Sequence, residues 1–137
     1  MPRTWIATVI VNALPFARQI HVRQSLTICS QLLSNAGNVL IIFPEGTRSR
    51  TGELQEFKPG IGALVAGRDV AVLPCYLDGA FRAWPKGSHW PRPRKVRLII
   101  GAPRNYVRIT PDKAASSAIA EELHDAIARL AQQNGTG

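Results

Sequence analysis

The stretch that most constrains this chain is Val39 to Val65, VLIIFPEGTRSRTGELQEFKPGIGALV. Its first five residues are apolar, mainly β-branched and flanked by turn formers, which is the pattern of a buried strand. Pro44 ends that strand because proline has no N–H for a sheet ladder, and Gly46 permits a tight turn. The loop beyond carries Glu45, Thr47, Arg48, Ser49 and Arg50 before a glycine-flanked apolar segment begins near Pro59. A strand that ends by projecting a carboxylate, two hydroxyls and two guanidiniums is how an α/β protein builds a site at its sheet edge.

The rest of the chain supplies the layers for such a sheet. Leu26, Cys29 and Leu33, with Ile28 and Leu32 widening the stripe, predict an amphipathic helix over 22–33, closed by Asn35 to Asn38 with Gly37 free to turn left-handed. Gly60 to Ala66 reads as a short apolar helix or turn packed on the sheet. VAVLPCYL (70–77) and VRLIIG (96–101) read as two further strands, the first demoted by Pro74 to an edge or a strand end. Thr110-Pro111-Asp112 reads as a helix start with Thr110 as the capping hydroxyl. The helix over 111–133 then carries the stripe Ile119, Leu123, Ile127 and Leu130, with His124 beside it at the surface. The expectation is an α/β fold, a mixed sheet flanked by helices, in one domain over 1–137 without repeats or linkers.

At 137 residues and 45% apolar, the chain is long enough for a core and too apolar for a disordered segment. Cys29 and Cys75 read as lone buried thiols without metal spacing, which fits a reducing compartment. The N-terminal run WIATVIVNALPF is shorter than the roughly 20 residues a bilayer crossing needs, and it lacks a signal-peptidase site. The chain reads as starting mid-domain.

Charge is the informative part of the composition. A net charge of +8 favours anionic partners: phosphorylated metabolites, anionic lipid surfaces or nucleic acid. Residues 82 to 108 hold Arg82, Lys86, Arg92, Arg94, Lys95, Arg97, Arg104 and Arg108 with no acid among them. FRAWPKGSHWPRPRK interleaves Phe81, Trp84 and Trp90 with those cations. Amphipathic indoles beside lysine and arginine suit a segment resting on lipid headgroups. A solvated, proline-stiffened loop or a stacking platform for nucleic acid has the same composition. In the central loop, Arg48 beside Thr47, Ser49 and the amides freed by Gly46 offers several donors to one anion, and Lys58 adds a further phosphate contact. Glu45 is either an ion-pair partner that orients an arginine or a member of the site.

FPEGTRSR with FKPG downstream resembles the third conserved block of the glycerolipid acyltransferases, the family that includes 1-acyl-glycerol-3-phosphate acyltransferases. The likeness runs from NALPFARQ to IGAP. It implies a glycerol-3-phosphate acyltransferase-like fold acting in phospholipid biosynthesis at the cytoplasmic face of a membrane, as a peripheral protein. The acceptor would be lysophosphatidate or a related glycerol phosphate, and acyl-CoA or acyl carrier protein (acyl-ACP) would be the co-substrate, with no metal or other cofactor. By the same resemblance, Arg18 matches the arginine that the second block gives to the acceptor's phosphate. Glu45, Gly46, Thr47, Arg48, Ser49 and Lys58 fall in the substrate site, while Val72, Leu73 and Pro74 match the block on the acyl-chain side. Trp84 and Trp90 are the expected membrane contacts.

The family's His-x-x-x-x-Asp, which supplies the base that activates the acceptor hydroxyl, lies upstream of this block. Five residues after His21 stands Leu26, after His89 Arg94, and after His124 Arg129. No catalytic residue is therefore assigned, and the chain resembles the family's C-terminal portion. The alternative is a non-catalytic remnant that keeps the phosphate and membrane contacts.

Overall fold

The structure is a computed structural model that describes residues 22–134, in two compact units that divide after Leu40. The first holds helix α1 (Val22–Leu33), with the bounds its apolar spacing predicts. Cys29 is buried, and burial pushes its thiol pKa up. Beyond the helix, Gly37 takes φ +87° and the Asn38 side-chain amide donates to the Leu32 carbonyl at 2.8 Å.

The second unit contains helix α2 (Gly60–Val65), strand β1 (Cys75–Asp78), helix α3 (Ala80–Ala83), strand β2 (Arg97–Ile100) and helix α4 (Lys113–Asn134). Its core lies where α2 meets α4, and a glycine makes that meeting possible. A Cβ built on Gly62 would collide with the Ser116 carbonyl oxygen and lie 2.7 Å from the Ser116 Cα. Backbone therefore approaches backbone, and α2 packs on α4 rather than on the sheet. Leu64, Val65 and Ala66 are buried from one side, and Ser116, Ile119, Ala120, Leu123 and Ala126 from the other. Full burial of one such aliphatic side chain stabilises by about 1.5–3 kcal/mol, so this seam dominates the unit. Ile127 and Leu130 are half-buried at its margin. His124 is no plain surface residue: its ring meets buried Phe57 edge-on, with centroids 5.2 Å apart.

Helix α4 is capped by Asp112, not Thr110. The Asp112 carboxylate accepts from the Ala115 N–H at 2.7 Å, satisfying an amide that Thr110 is too far upstream to reach. Ahead of the helix, Val72 and Arg104 exchange backbone hydrogen bonds of 2.9 and 2.8 Å, and Gly67 N–H donates to Tyr106 O at 3.0 Å. Tyr106 Oη donates to the Glu122 carboxylate, which also accepts from Arg104 Nε at 2.9 Å. The segment 102–106 is thereby tied to α4.

The sheet differs most from expectation. Among the described residues it has two antiparallel strands, with Cys75 opposite Ile100, Tyr76 opposite Ile99, Leu77 opposite Leu98 and Asp78 opposite Arg97. Residues 39–43 form no strand among the described residues. Val39, Ile41 and Phe43 are 90%, 79% and 65% exposed. β-Branched composition makes a strand possible, but ladder partners make it one, and none of the described residues pairs there. In 70–77 the strand begins only after Pro74, as a residue with no N–H requires. Alternation then turns Cys75 outward with Leu77, so this thiol is exposed, unlike Cys29.

Gly62→Ala forces the α2–α4 seam apart against α4 backbone, and should destabilise by about 1–3 kcal/mol, read as a lower denaturant midpoint. Tyr106 is held protonated by burial first and by Glu122 second, so its pKa lies above the ordinary value of about 10. A raised pKa gives stability that is fully present below about pH 10 and is lost as pH rises beyond it. Tyr106→Phe should cost about 1–2 kcal/mol at neutral pH and flatten that alkaline decline in urea melts.

Candidate functional site

The loop after Pro44 is closed at its foot by its own backbone. Lys58 N–H donates to Pro44 O at 3.0 Å, and Gln55 N–H donates to the Glu45 carboxylate at 2.8 Å. Of the two roles open to Glu45 from sequence, the ion pair with an arginine is not what the structure shows. Glu45 makes no ion pair among the described residues and instead pins the returning strand of the loop. Burial of Phe57 anchors that foot beside the core. Gly46 stands at φ +70°, where a Cβ would also lie 2.9 Å from Lys58 Nζ. Glycine is favoured there by its left-handed conformation, while the Lys58 side chain could swing aside.

The far side of the loop rests on α3 and the turn after it. Gly52 lies against the Phe81 ring, the Arg48 guanidinium stands 5.6 Å from the centre of the Trp84 ring, and Lys86 Nζ donates to Thr47 Oγ1 at 3.0 Å. Ser49 serves the loop itself, accepting from Gly52 N–H at 2.9 Å and Thr51 N–H at 3.3 Å. The structure therefore brings Lys58, Arg48 and Lys86 to one glycine turn, with Glu45 at its foot and Ser49 turned inward. None of the three cations has an ion-pair partner among the described residues. Mutual repulsion of two such charges in water is about 1 kcal/mol at 4 Å and less beyond, whereas a hydrogen bond to a charged group contributes about 1.5–3 kcal/mol. On these magnitudes, hydrogen bonds to a bound anion would outweigh the mutual repulsion of the cations.

Lys86 was not singled out by sequence. It is one of eight cations in an acid-free run, and 39 residues separate it from Thr47, so no local spacing marks it. Arg18 and His21 lie outside the described residues. Trp84 and Trp90, paired by composition, part company in the structure. Trp84 is 49% exposed, donates from Nε1 to Ser88 O at 3.0 Å and backs Arg48, while Trp90 is 82% exposed.

The Val72–Pro74 stretch also divides. Val72 is half-buried in its bridge to Arg104, Pro74 is buried, and Leu73 is exposed. Pro74 lines a cavity of about 130 Å³ with Gly101, Arg104, Ala126, Arg129, Leu130 and others. Leu73 instead continues the outer face of the sheet, where Leu77 lies opposite Leu98 and Ile100 opposite Cys75, all exposed. Among the described residues no cluster of His, Cys, Asp or Glu has the makings of a metal site, and no helix is long and apolar enough to cross a membrane.

The family model described as Acyltransferase matches residues 4–78, more than half of the chain. A 1-acyl-sn-glycerol-3-phosphate acyltransferase of Limnanthes douglasii is 36% identical over 90 residues, covering 66% of this chain and 32% of that protein. A chloroplastic enzyme of the same name from Arabidopsis thaliana is 41% identical over 76 residues, covering 55% of this chain and 21% of that protein. One from Chlamydomonas reinhardtii is 30% identical over 123 residues, covering 84% and 34%. The chain thus spans about a third or less of the length of these relatives. No solved structure gives a significant match. With the FPEGTRSR loop folded around a glycine turn and more than half of its length matching the family model, the chain belongs to the acyltransferase family.

Proposed function

We propose that this chain carries the acceptor-binding part of a 1-acyl-sn-glycerol-3-phosphate O-acyltransferase acting in phospholipid synthesis. The observation that carries the reading is the Lys58 ammonium beside Gly46 with Arg48 two residues further along the same loop, neither in an ion pair among the described residues, a fit for a phosphomonoester. The names of the relatives supply the acceptor, 1-acyl-sn-glycerol 3-phosphate. Acyl-CoA or acyl-ACP supplies the acyl group.

In the reaction, the acceptor hydroxyl attacks the thioester carbonyl. A C–O bond forms, the C–S bond breaks, and the hydroxyl proton passes through a base to the departing thiolate. The clamp's part is to hold the phosphate so that the hydroxyl stays in register with the thioester. Arg48 is free to serve, because an exposed cation–π contact with Trp84 is worth only about 0.5–1 kcal/mol. Leu73 and the apolar outer face of β1 and β2 offer the acyl-chain side. Arg18 belongs to the same proposed clamp, and Trp90 with Arg92 and Lys95 offers the contact with an anionic membrane surface.

A second reading has its own observation: no histidine in the sequence has an aspartate five residues on. A phosphate- and membrane-binding module without transfer activity fits that pattern. Transfer of the acyl group from an acyl-CoA to lysophosphatidate separates the two. Transfer supports the enzyme, whereas binding of the acceptor without turnover, also in a version extended upstream in its reading frame, supports the module.

Arg48→Ala should weaken binding of lysophosphatidate about tenfold or more while leaving the melting temperature nearly unchanged, because the side chain is exposed. Unchanged affinity would remove the clamp. Trp90→Ala should lower partitioning onto phosphatidylserine vesicles several-fold, and more than Trp84→Ala does, in a sedimentation assay. Equal partitioning of both variants and the parent would leave the segment as solvated surface.

A further inference from the structure

Lys86 reaches the signature loop from outside every segment that the sequence marked as part of the site. Its ammonium donates to Thr47 Oγ1 at 3.0 Å, while on the neighbouring residue the Lys58 ammonium lies 2.9 Å from where a Gly46 Cβ would stand. Two ammonium groups thus flank consecutive residues of one turn, and Arg48 follows directly in the chain. Glu45, next to this turn in the chain, accepts from the Gln55 amide at 2.8 Å and makes no ion pair among the described residues. The partner that Lys86 has, a threonine hydroxyl, is neutral, and Lys86 makes no ion pair among the described residues. Its segment is also held in place from behind. Trp84 Nε1 donates to Ser88 O at 3.0 Å and Arg92 N–H donates to Ala83 O at 2.7 Å, so residues 84–92 fold back on the end of α3.

We propose that Lys86 is a ligand of the acceptor's phosphate, and that the Trp84–Gly87 turn forms the second wall of the phosphate site, opposite the FPEGTRSR loop. The proposal rests on the phosphate-clamp reading above and adds a residue to it. In the free protein Thr47 Oγ1 holds the ammonium at the turn. In the complex a phosphate oxygen takes that acceptor's place, and the Thr47 hydroxyl becomes a donor to the same anion. Three cations from two walls then suit a dianionic phosphomonoester better than a phosphodiester, which presents one negative charge.

The test is calorimetric titration of the chain with glycerol 3-phosphate, using glycerol as the uncharged control. It compares the parent with Lys86→Ala, Lys86→Arg, Arg48→Ala and Arg94→Ala, the last removing one charge from the same basic run outside the turn. Lys86→Ala should weaken binding about tenfold, Lys86→Arg should restore most of it, and Arg94→Ala should leave it nearly unchanged. Lys86 is exposed, so thermal melts of its variants should match the parent. Binding retained in Lys86→Ala but lost in Arg48→Ala would overturn the role of Lys86 and leave the clamp standing. An equal loss in Lys86→Ala and Arg94→Ala would reduce it to general charge and overturn it as well. No binding by the parent would overturn the clamp and this proposal together.

Discussion

The described architecture of the second unit depends on one close approach, the backbone of α2 against the backbone of α4 at Gly62 and Ser116. A side chain at position 62 has no room, so only glycine lets the short helix sit low enough to bury Leu64 and Val65. Phe57, just ahead of that helix, is buried with them and meets His124 on α4. Lys58 follows Phe57 in the chain and closes the loop on Pro44. The site's position is thus inherited from a helix crossing. The loop's charged side chains are exposed, yet its foot is fixed by apolar burial beside it.

The electrostatics of the loop depend on where the carboxylate beside its glycine turn, Glu45, goes. Had Glu45 paired with Arg48 or Lys58, one of the turn's cations would be neutralised. With one oxygen accepting from the Gln55 amide, Glu45 instead buttresses the loop, and Arg48, Lys58 and Lys86 have no ion-pair partner among the described residues. Exposure keeps this tolerable, since water and salt screen repulsion among surface charges. Trp84 lends Arg48 a weak resting place, since an exposed cation–π contact contributes only about 0.5–1 kcal/mol.

The sheet shows a division of labour between its faces. Tyr76 and Ile99 are half-buried, while Cys75, Leu77, Leu98 and Ile100 face outward. The same alternation explains why Leu73 and Pro74, adjacent in sequence and assigned together to the acyl-chain side, fall on opposite sides. One continues the open apolar face and the other closes a small cavity beside α4.

The sequence by itself determined the elements whose signals are local: helix α1, most of α4, the strand after Pro74, the strand at 97–100 and the turn at Gly46. Each rests on periodicity or on the backbone needs of proline and glycine, which act within a few residues. The FPEGTRSR motif likewise disclosed the family. Tertiary structure decided what depends on distant partners. Residues 39–43 have strand composition but no ladder among the described residues. Thr110 had the cap's chemistry, but Asp112 had its geometry. Glu45 found an amide ten residues on, and Lys86 found Thr47 across 39 residues. Hydrogen bonds and charge pairs of that span are set by packing, which no local pattern of residues encodes.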